Sequence, residues 1–202
     1  IVLEHATTRA AVECVKHCGD TVACTITAHH LQLTVDDWAG KPLHFCKPVA
    51  KMPDDRAALR EVIREGHPRF FLGSDSAPHP LAAKYPSPAS RNNSTAEFVH
   101  QCGCAAGVYT SAVLLPLCAT LLESFGALDK LAGYVSVHGR RFYNEPAEPG
   151  RVVKLRRTRP DDKPVPASYV HASCLGKDDG DPTKLQVSPF YGGQRLAWAI
   201  VE

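Results

Sequence analysis

The first 75 residues alternate between short β-branched segments and segments of helical periodicity, and this alternation limits the fold more than any other feature. Two segments with helical patterns, at 8–19 and 54–66, separate three with the composition of strands: Ile1–His5, Thr21–Thr27 and Arg69–Asp75. Strand, helix, strand, helix, strand is the order of parallel βαβ units. The sequence therefore predicts an α/β fold with a parallel sheet.

The rest of the chain is less regular. A loop is predicted around His29, His30 and Leu31, and a partly extended connection over 42–51. Further predictions are an irregular loop at 80–94, a helix at 105–125 that Pro116 kinks or divides, a helix or short strand at 128–137, a turn-rich connector at 138–146, and a tail from Arg151 of short strands and a turn at 176–184.

Composition indicates an ordinary soluble protein and predicts neither a nucleic-acid nor a membrane partner. Hydrophobic residues make up 44% and charged residues 22% of the 202, and the formal net charge is only +2. The basic run at 154–159 has no interleaved aromatic residues, so we expect a solvated face. The apolar segment 108–122 is shorter than the roughly 18 to 20 residues of a membrane span. Eight cysteines spread along a chain of this length predict free thiols in a reducing compartment, and hence the cytosol.

Residues with catalytic chemistry stand where the predicted strands end. His5 closes the first strand, His29 or His30 follows the second, and Asp75 closes the third, with His79 four residues later. Parallel strands end at a common edge, so we expect these side chains to converge. Imidazole and carboxylate are ligands of zinc, which lowers the pKa of bound water to about 7.

Each of these residues also has an ordinary structural explanation. Asp75 can cap a turn, His5 can be a hydrogen-bonded histidine at the rim, and His79 can belong to a simple loop between prolines.

Several segments together resemble one family. In order along nearly the whole chain, they are LEHATT, CTITAHHL, HFCKPVAK, FLGSDSAPH, CGCAAG and YVSVHGRRFYNEP. Together they resemble the carboxy-terminal part of the single-function (type II) dihydroorotases, which belong to the amidohydrolase superfamily. The resemblance implies a partial (β/α)8 TIM barrel, with the equivalents of strands six to eight and their helices in 1–80 and post-barrel elements in 81–202.

The resemblance also assigns roles to five residues. His5 matches a zinc-binding histidine, and Asp75 matches the aspartate that binds zinc and moves the reaction's proton. His79 matches a histidine that contacts the substrate carboxylate, and Ala105 a residue of the same carboxylate pocket. Lys47 matches a position that contacts the pyrimidine ring through its backbone.

The implied reaction is the reversible hydrolysis of dihydroorotate to carbamoyl aspartate in pyrimidine biosynthesis. The family uses a binuclear zinc centre, and the parent protein is expected to form a cytosolic homodimer. The family's H-x-H motif, carboxylated lysine and a further zinc histidine have no counterpart here, so we expect a carboxy-terminal fragment that is inactive alone.

Two other functions stay open. One is a non-catalytic or assembly piece, suggested by the absent H-x-H motif and lysine. The other is a different cyclic amidohydrolase, such as a hydantoinase or an allantoinase, and the FLGSDSAPH and CGCAAG segments argue against it because they match a site for a ring that carries a carboxylate.

Overall fold

Three parallel strands form the sheet that the first 75 residues build. The structure is a computed structural model that describes residues 1–85, 104–146, 152–170 and 186–201. The strands are β1 (Val2–Leu3), β2 (Ala23–Ile26) and β3 (Phe70–Leu72), and β2 lies between the other two. Cys24 pairs with Leu3 on one side and with Phe70 on the other. All four residues of β2 are buried, as expected for a central parallel strand that is covered on both faces.

The two predicted helices between these strands are confirmed. Helix α1 (Arg9–His17) begins at Thr8, whose hydroxyl accepts a hydrogen bond from the Ala11 N–H. The helix formed by Pro53–Arg64 has proline in its first turn and buries all four residues of its predicted apolar face, Ala58, Leu59, Val62 and Ile63. It packs against α1 and β3.

Two short helices occupy the connection after β2, where the sequence predicted a loop. Helix α2 (Ala28–Gln32) forms because Thr27 caps it, its hydroxyl accepting from the His30 N–H at 3.1 Å. Helix α3 (Val35–Trp38) follows Thr34, and the helix of 53–64 is therefore α4. The loop prediction at His29–Leu31 was wrong because one capping threonine directly after a strand can start a helix.

The segments after β3 depart further from the predictions. Helix α5 (Leu81–Lys84) opens the region predicted as irregular. Residues 105–110 are not helical. Helix α6 (Leu114–Ser124) has Pro116 in its first turn, where the missing N–H of proline needs no partner within the helix. Helical turns occupy Leu128–Lys130 and Gly133–Val137, which confirms the helical alternative predicted for 128–137. The second of these, a π-helical turn, leads into α7 (His138–Phe142), where a turn-rich connector was predicted.

The described tail consists of short antiparallel strands, as predicted. Strand β4 (Leu155–Arg157) pairs with β7 (Trp198–Ile200), and β5 (Tyr169–Val170) pairs with β6 (Gln186–Val187). The predicted turn at 176–184 and most of the predicted loop at 80–94 lie outside the described residues. No helix in the described ranges has the length and apolarity needed to cross a membrane.

One hydrophobic core joins the sheet to the helices around it. Tyr134 is almost fully buried in the core, and its hydroxyl donates to the Ile26 carbonyl of β2 at 2.7 Å. The largest other fully buried apolar side chains are Phe70, Ile26, Leu31, Leu59, Ile63, Leu117, Leu121 and Leu122. The architecture is therefore α/β with a parallel sheet, as the sequence predicted.

The close approach of β3 to β2 gives a test of this packing. A Cβ atom on Gly73 would lie 2.7 Å from the Thr25 Cβ, whereas a Cβ on Gly19 would meet nothing within 4 Å. We expect Gly73→Ala to lower the free energy of unfolding by about 1–3 kcal/mol through overpacking. Gly19→Ala is the matched control, with a change of less than about 1 kcal/mol. Urea unfolding measures both, and equal midpoints for the two variants would contradict the packing.

Candidate active site

The candidate site lies at the edge where the three parallel strands end. His5 follows β1, helix α2 with His29 and His30 follows β2, and Asp75 follows β3. Parallel pairing in the order β1, β2, β3 places these positions at one edge, as the sequence predicted.

His5 and Asp75 share an uncommon backbone conformation. Their φ angles are 42° and 39°, in the left-handed region that residues other than glycine rarely adopt. Thr25 of β2 holds the turn at His5, because its hydroxyl accepts from the His5 N–H at 2.8 Å and its carbonyl accepts from the Ala6 N–H at 3.0 Å. Backbone strain of this kind is concentrated at functional sites.

His29 is the most deeply buried polar group at this edge. Its side chain is fully buried, and its Nε2 atom lies 4.0 Å from Oδ2 of Asp75. Neither ring nitrogen has a hydrogen-bond partner within the part of the chain that the structure describes. A buried polar group without a hydrogen bond lowers the stability of the fold by about 1–3 kcal/mol, so the burial of His29 needs an explanation.

His30, in contrast, is fully bonded. The Pro48 carbonyl can only accept, so Nε2 carries the ring proton and donates to it at 2.9 Å. Nδ1 is then an acceptor, and the Thr27 hydroxyl donates to it at 2.8 Å while accepting from the His30 backbone N–H. His30 therefore anchors the connection at 45–49 to the end of β2.

His29, His30 and Cys46 form the one group of three potential metal ligands among the described residues, and their ligand atoms lie within 4.8 Å of one another. Both ring nitrogens of His30 are engaged, and the Cys46 thiol donates to the Pro48 carbonyl at 3.4 Å. Burial raises the pKa of that thiol to about 11, which disfavours the thiolate that a metal needs. We interpret the group as a hydrogen-bonded network, not as a metal centre.

Burial dominates the electrostatics of the site. It lowers the pKa of His29 well below the usual value, and His30 and His5 lower it further. Burial lowers the pKa of His30 to about 4, although the hydrogen bond to Pro48 acts in the opposite direction. Partial burial raises the pKa of Asp75, with His5 opposing this effect and Glu4 adding to it. Both buried histidines are therefore neutral near pH 7.

A second part of the site is formed by two chain segments that lie side by side. Nε2 of His79 bonds to the Ala106 carbonyl at 2.9 Å, and the Ala77 N–H donates to the Val108 carbonyl. Gly107 permits this approach, since a Cβ there would lie 2.6 Å from the Ala77 Cβ. The structure therefore brings His79 next to the segment that contains Ala105.

The Ala105 N–H is already in use, because it donates to the Ala83 carbonyl at 2.9 Å. In the described conformation, this N–H is therefore not available for the predicted contact with a carboxylate. The assignment of Ala105 to the carboxylate pocket stays a prediction.

Lys47 comes two residues after Phe45, which bonds to this second part. The Phe45 carbonyl accepts hydrogen bonds from the Gly107 N–H at 2.9 Å and from the buried Lys84 ammonium at 3.0 Å. The Lys47 side chain is exposed, and the assignment of Lys47 to a contact with the pyrimidine ring stays a prediction.

Sequence reasoning named His5, Asp75 and His79 as candidate site residues, with His29 and His30 together as alternatives at the end of the second strand. It missed Thr25, whose signal in the sequence is only that of a β-branched strand residue, and Lys84, which lies in the region predicted as irregular. Thr25 and Lys84 both act through hydrogen bonds to segments that are distant in the sequence, which local patterns do not show.

No family model matches the chain. The chain is 60% identical over 223 residues to a dihydroorotase of Mycosarcoma maydis, and the match covers all of this chain and 56% of that protein. The chain thus spans about half the length of the curated relatives that it matches.

Solved structures give the same result. The crystal structure of dihydroorotase from Saccharomyces cerevisiae in complex with 5-fluoroorotic acid matches with a TM-score of 0.74 at 36% identity, covering 100% of this chain and 51% of that one. An L-hydantoinase from Arthrobacter aurescens matches with a TM-score of 0.66 at 16% identity, covering 99% and 42%, which shows a shared fold alone.

The buried state of His30 predicts a loss of stability in acid. An unfolded chain protonates this ring near pH 6.5, but the folded protein resists protonation until about pH 4. The contribution of the neutral His30 ring to the free energy of unfolding is thus fully present above pH 6.5. This contribution, roughly 3 kcal/mol, is lost as the pH falls towards 4. His29 acts in the same direction. Urea unfolding measured between pH 4 and 7 should show this slope, and His30→Asn should reduce it. A slope unchanged by that variant would contradict the assignment.

Proposed function

We propose, from the premise that this chain belongs to the dihydroorotase family, that the protein containing it hydrolyses dihydroorotate reversibly to carbamoyl aspartate in pyrimidine biosynthesis. The observation that carries the proposal is the convergence of His5 and Asp75 at one sheet edge, with His79 following Asp75 on the same segment. The relative crystallised with 5-fluoroorotic acid supports a pyrimidine that bears a carboxylate.

The residues at this edge fit zinc. His5 provides an imidazole nitrogen and Asp75 a carboxylate oxygen, which are donors that zinc accepts, and parallel pairing places them at the same edge. A catalytic zinc ion has at least three protein ligands, so these two form part of a site. When bound, zinc would polarise the ring carbonyl and lower the pKa of water.

Asp75 is the residue that we propose to move the proton. Hydrolysis forms a C–O bond at the ring carbonyl, breaks the adjacent C–N bond and transfers a proton from water to the leaving nitrogen. The side chain of Asp75 is 34% exposed, so it can reach a substrate at the sheet edge. Burial raises its pKa, which makes the carboxylate a better base than an exposed aspartate.

His79 is the residue that we propose to hold the substrate carboxylate. Since a carbonyl oxygen only accepts, Nε2 of His79 must carry the proton in its bond to Ala106. The other ring nitrogen, Nδ1, can then donate to a carboxylate only when the ring is doubly protonated. Such a charge-assisted bond is stronger than a neutral one and positions the ring of the substrate.

The wider architecture is also part of the proposal. The three parallel strands with their helices would correspond to strands six to eight of a (β/α)8 barrel, and the residues from 81 onward to post-barrel elements of the same domain. We further propose a binuclear zinc centre, a cytosolic location and a homodimer for the parent protein.

Changing the proposed proton-transfer residue tests the mechanism. We expect Asp75→Asn in the intact protein to lower kcat for dihydroorotate by at least about 1,000-fold, because the amide cannot accept the proton. Asp36→Asn, on an exposed residue of α3, is the control and should retain activity. Steady-state hydrolysis and circular dichroism would be measured on both. Retention of most activity by Asp75→Asn would exclude the assigned role.

Substrate choice separates this proposal from other cyclic amide hydrolases. We expect turnover of dihydroorotate and of its product in the reverse direction, with no comparable rate on hydantoin or allantoin, because neither places a carboxylate beside His79. Replacing His79 with alanine should raise KM for dihydroorotate more than it lowers kcat. Faster hydrolysis of hydantoin or allantoin by the unmodified protein would favour the alternative class.

A further inference from the structure

His29 is a buried imidazole that neither the core nor the hydrogen-bond networks of the described residues account for. It is fully buried, yet neither ring nitrogen has a partner among those residues. The adjacent His30, buried to the same degree, has both ring nitrogens bonded. An apolar side chain of similar size would avoid the cost of the unbonded nitrogens, so a use for one of them is expected.

A carboxylate oxygen, Oδ2 of Asp75, lies near Nε2 of His29. The distance from Nε2 is 4.0 Å, about 1 Å longer than a hydrogen bond. His29 is fixed within helix α2, and its ring lies 4.4 Å from that of His30. The Asp75 side chain is partly exposed and follows β3 in a turn. The carboxylate is therefore the group that can move to close the gap.

The His29 ring can donate a hydrogen bond to the Asp75 carboxylate in one of its two tautomers. A neutral imidazole carries a single N–H and one acceptor nitrogen. A proton on Nε2 makes that nitrogen a donor to the carboxylate and leaves Nδ1 without one. A proton on Nδ1 would instead turn a lone pair towards the carboxylate, which is unfavourable.

We propose that His29 is a positioning residue for Asp75, with its Nε2–H donating to Oδ2 so that one oxygen of the carboxylate is held and the other stays oriented towards the substrate. The inference rests on the proposed function, because it assumes that Asp75 moves the reaction's proton. It adds a residue that none of the five assigned roles includes. His29 touches neither substrate nor the reacting atoms, and it acts only through the orientation of Asp75.

Two amide variants test which ring nitrogen matters. Glutamine can place its N–H₂ group near the position of Nε2, whereas asparagine places it near Nδ1. In the intact protein, we expect His29→Asn to lower kcat for dihydroorotate by about 10- to 100-fold with KM little changed, as for other residues that orient a reacting group. His29→Gln should recover most of this loss. Equal loss in both variants, or full activity in His29→Asn, would overturn the proposal.

Tyr134→Phe is the matched control for loss of a buried polar group. It removes the hydrogen bond to the Ile26 carbonyl of the same strand, at 2.7 Å, without touching Asp75. We expect a lower urea midpoint with unchanged kcat, whereas His29→Asn should lower kcat. Bound zinc would also be measured. Loss of zinc in both His29→Asn and His29→Gln, although glutamine restores the bond to Asp75, would identify His29 as a ligand and overturn the positioning role.

A spectroscopic readout keeps this inference separate from the proposed function. Nitrogen-15 NMR of the histidine rings at pH 7 should show the His29 proton on Nε2. A proton on Nδ1 would overturn the positioning role even if dihydroorotate is turned over. If the unmodified protein has no dihydroorotase activity, the proposed function fails, while the tautomer still decides whether His29 donates to Asp75.

Discussion

The site depends on the position of Thr25 in the central strand. Its hydroxyl and carbonyl accept hydrogen bonds from the N–H groups of His5 and Ala6, which fixes the turn after β1. Its side chain also occupies the space that Gly73 leaves open after β3. One residue of β2 therefore contacts both turns that carry the proposed zinc ligands. The parallel register on both sides of β2 makes this possible, because it brings three strand ends to the same level.

Left-handed backbone at His5 and Asp75 is costly, by about 1–3 kcal/mol for each residue, and it persists only where the surroundings impose it. The pairing of β1 and β3 with a buried central strand provides that constraint. Both strained residues come just after the end of a strand. The backbone strain therefore lies at the sheet edge that carries the candidate site, and not in the sheet itself. This is the arrangement expected where ligand binding, and not the stability of the fold, decides which residue type occupies these two positions.

Local patterns predicted the parts of the fold that local physics decides. Helices α1 and α4 follow from a capping threonine, an N-terminal proline and apolar spacing, and the convergence of His5 and Asp75 follows from parallel strands. Helix α2 was missed because Thr27, which its β-branched pattern assigned to the strand, instead follows β2 and caps the helix. The absence of hydrogen-bond partners for His29 among the described residues was beyond sequence reasoning, since it depends on packing between distant segments.

The two parts of the site are held by different forces, and this difference bears on how they act. The proposed zinc ligands follow strands of a buried sheet, whereas His79 is held by a bridge between two irregular segments. In that bridge the Ser76 hydroxyl accepts from the N–H groups of Thr110 and Ser111, at 3.0 and 2.9 Å. Sheet pairing is cooperative with the core, but a loop bridge can open locally at lower free energy. In the proposed reaction, the carbonyl of the substrate would thus meet a rigid edge, while its carboxylate would be held by the part that can adjust as substrate enters and product leaves.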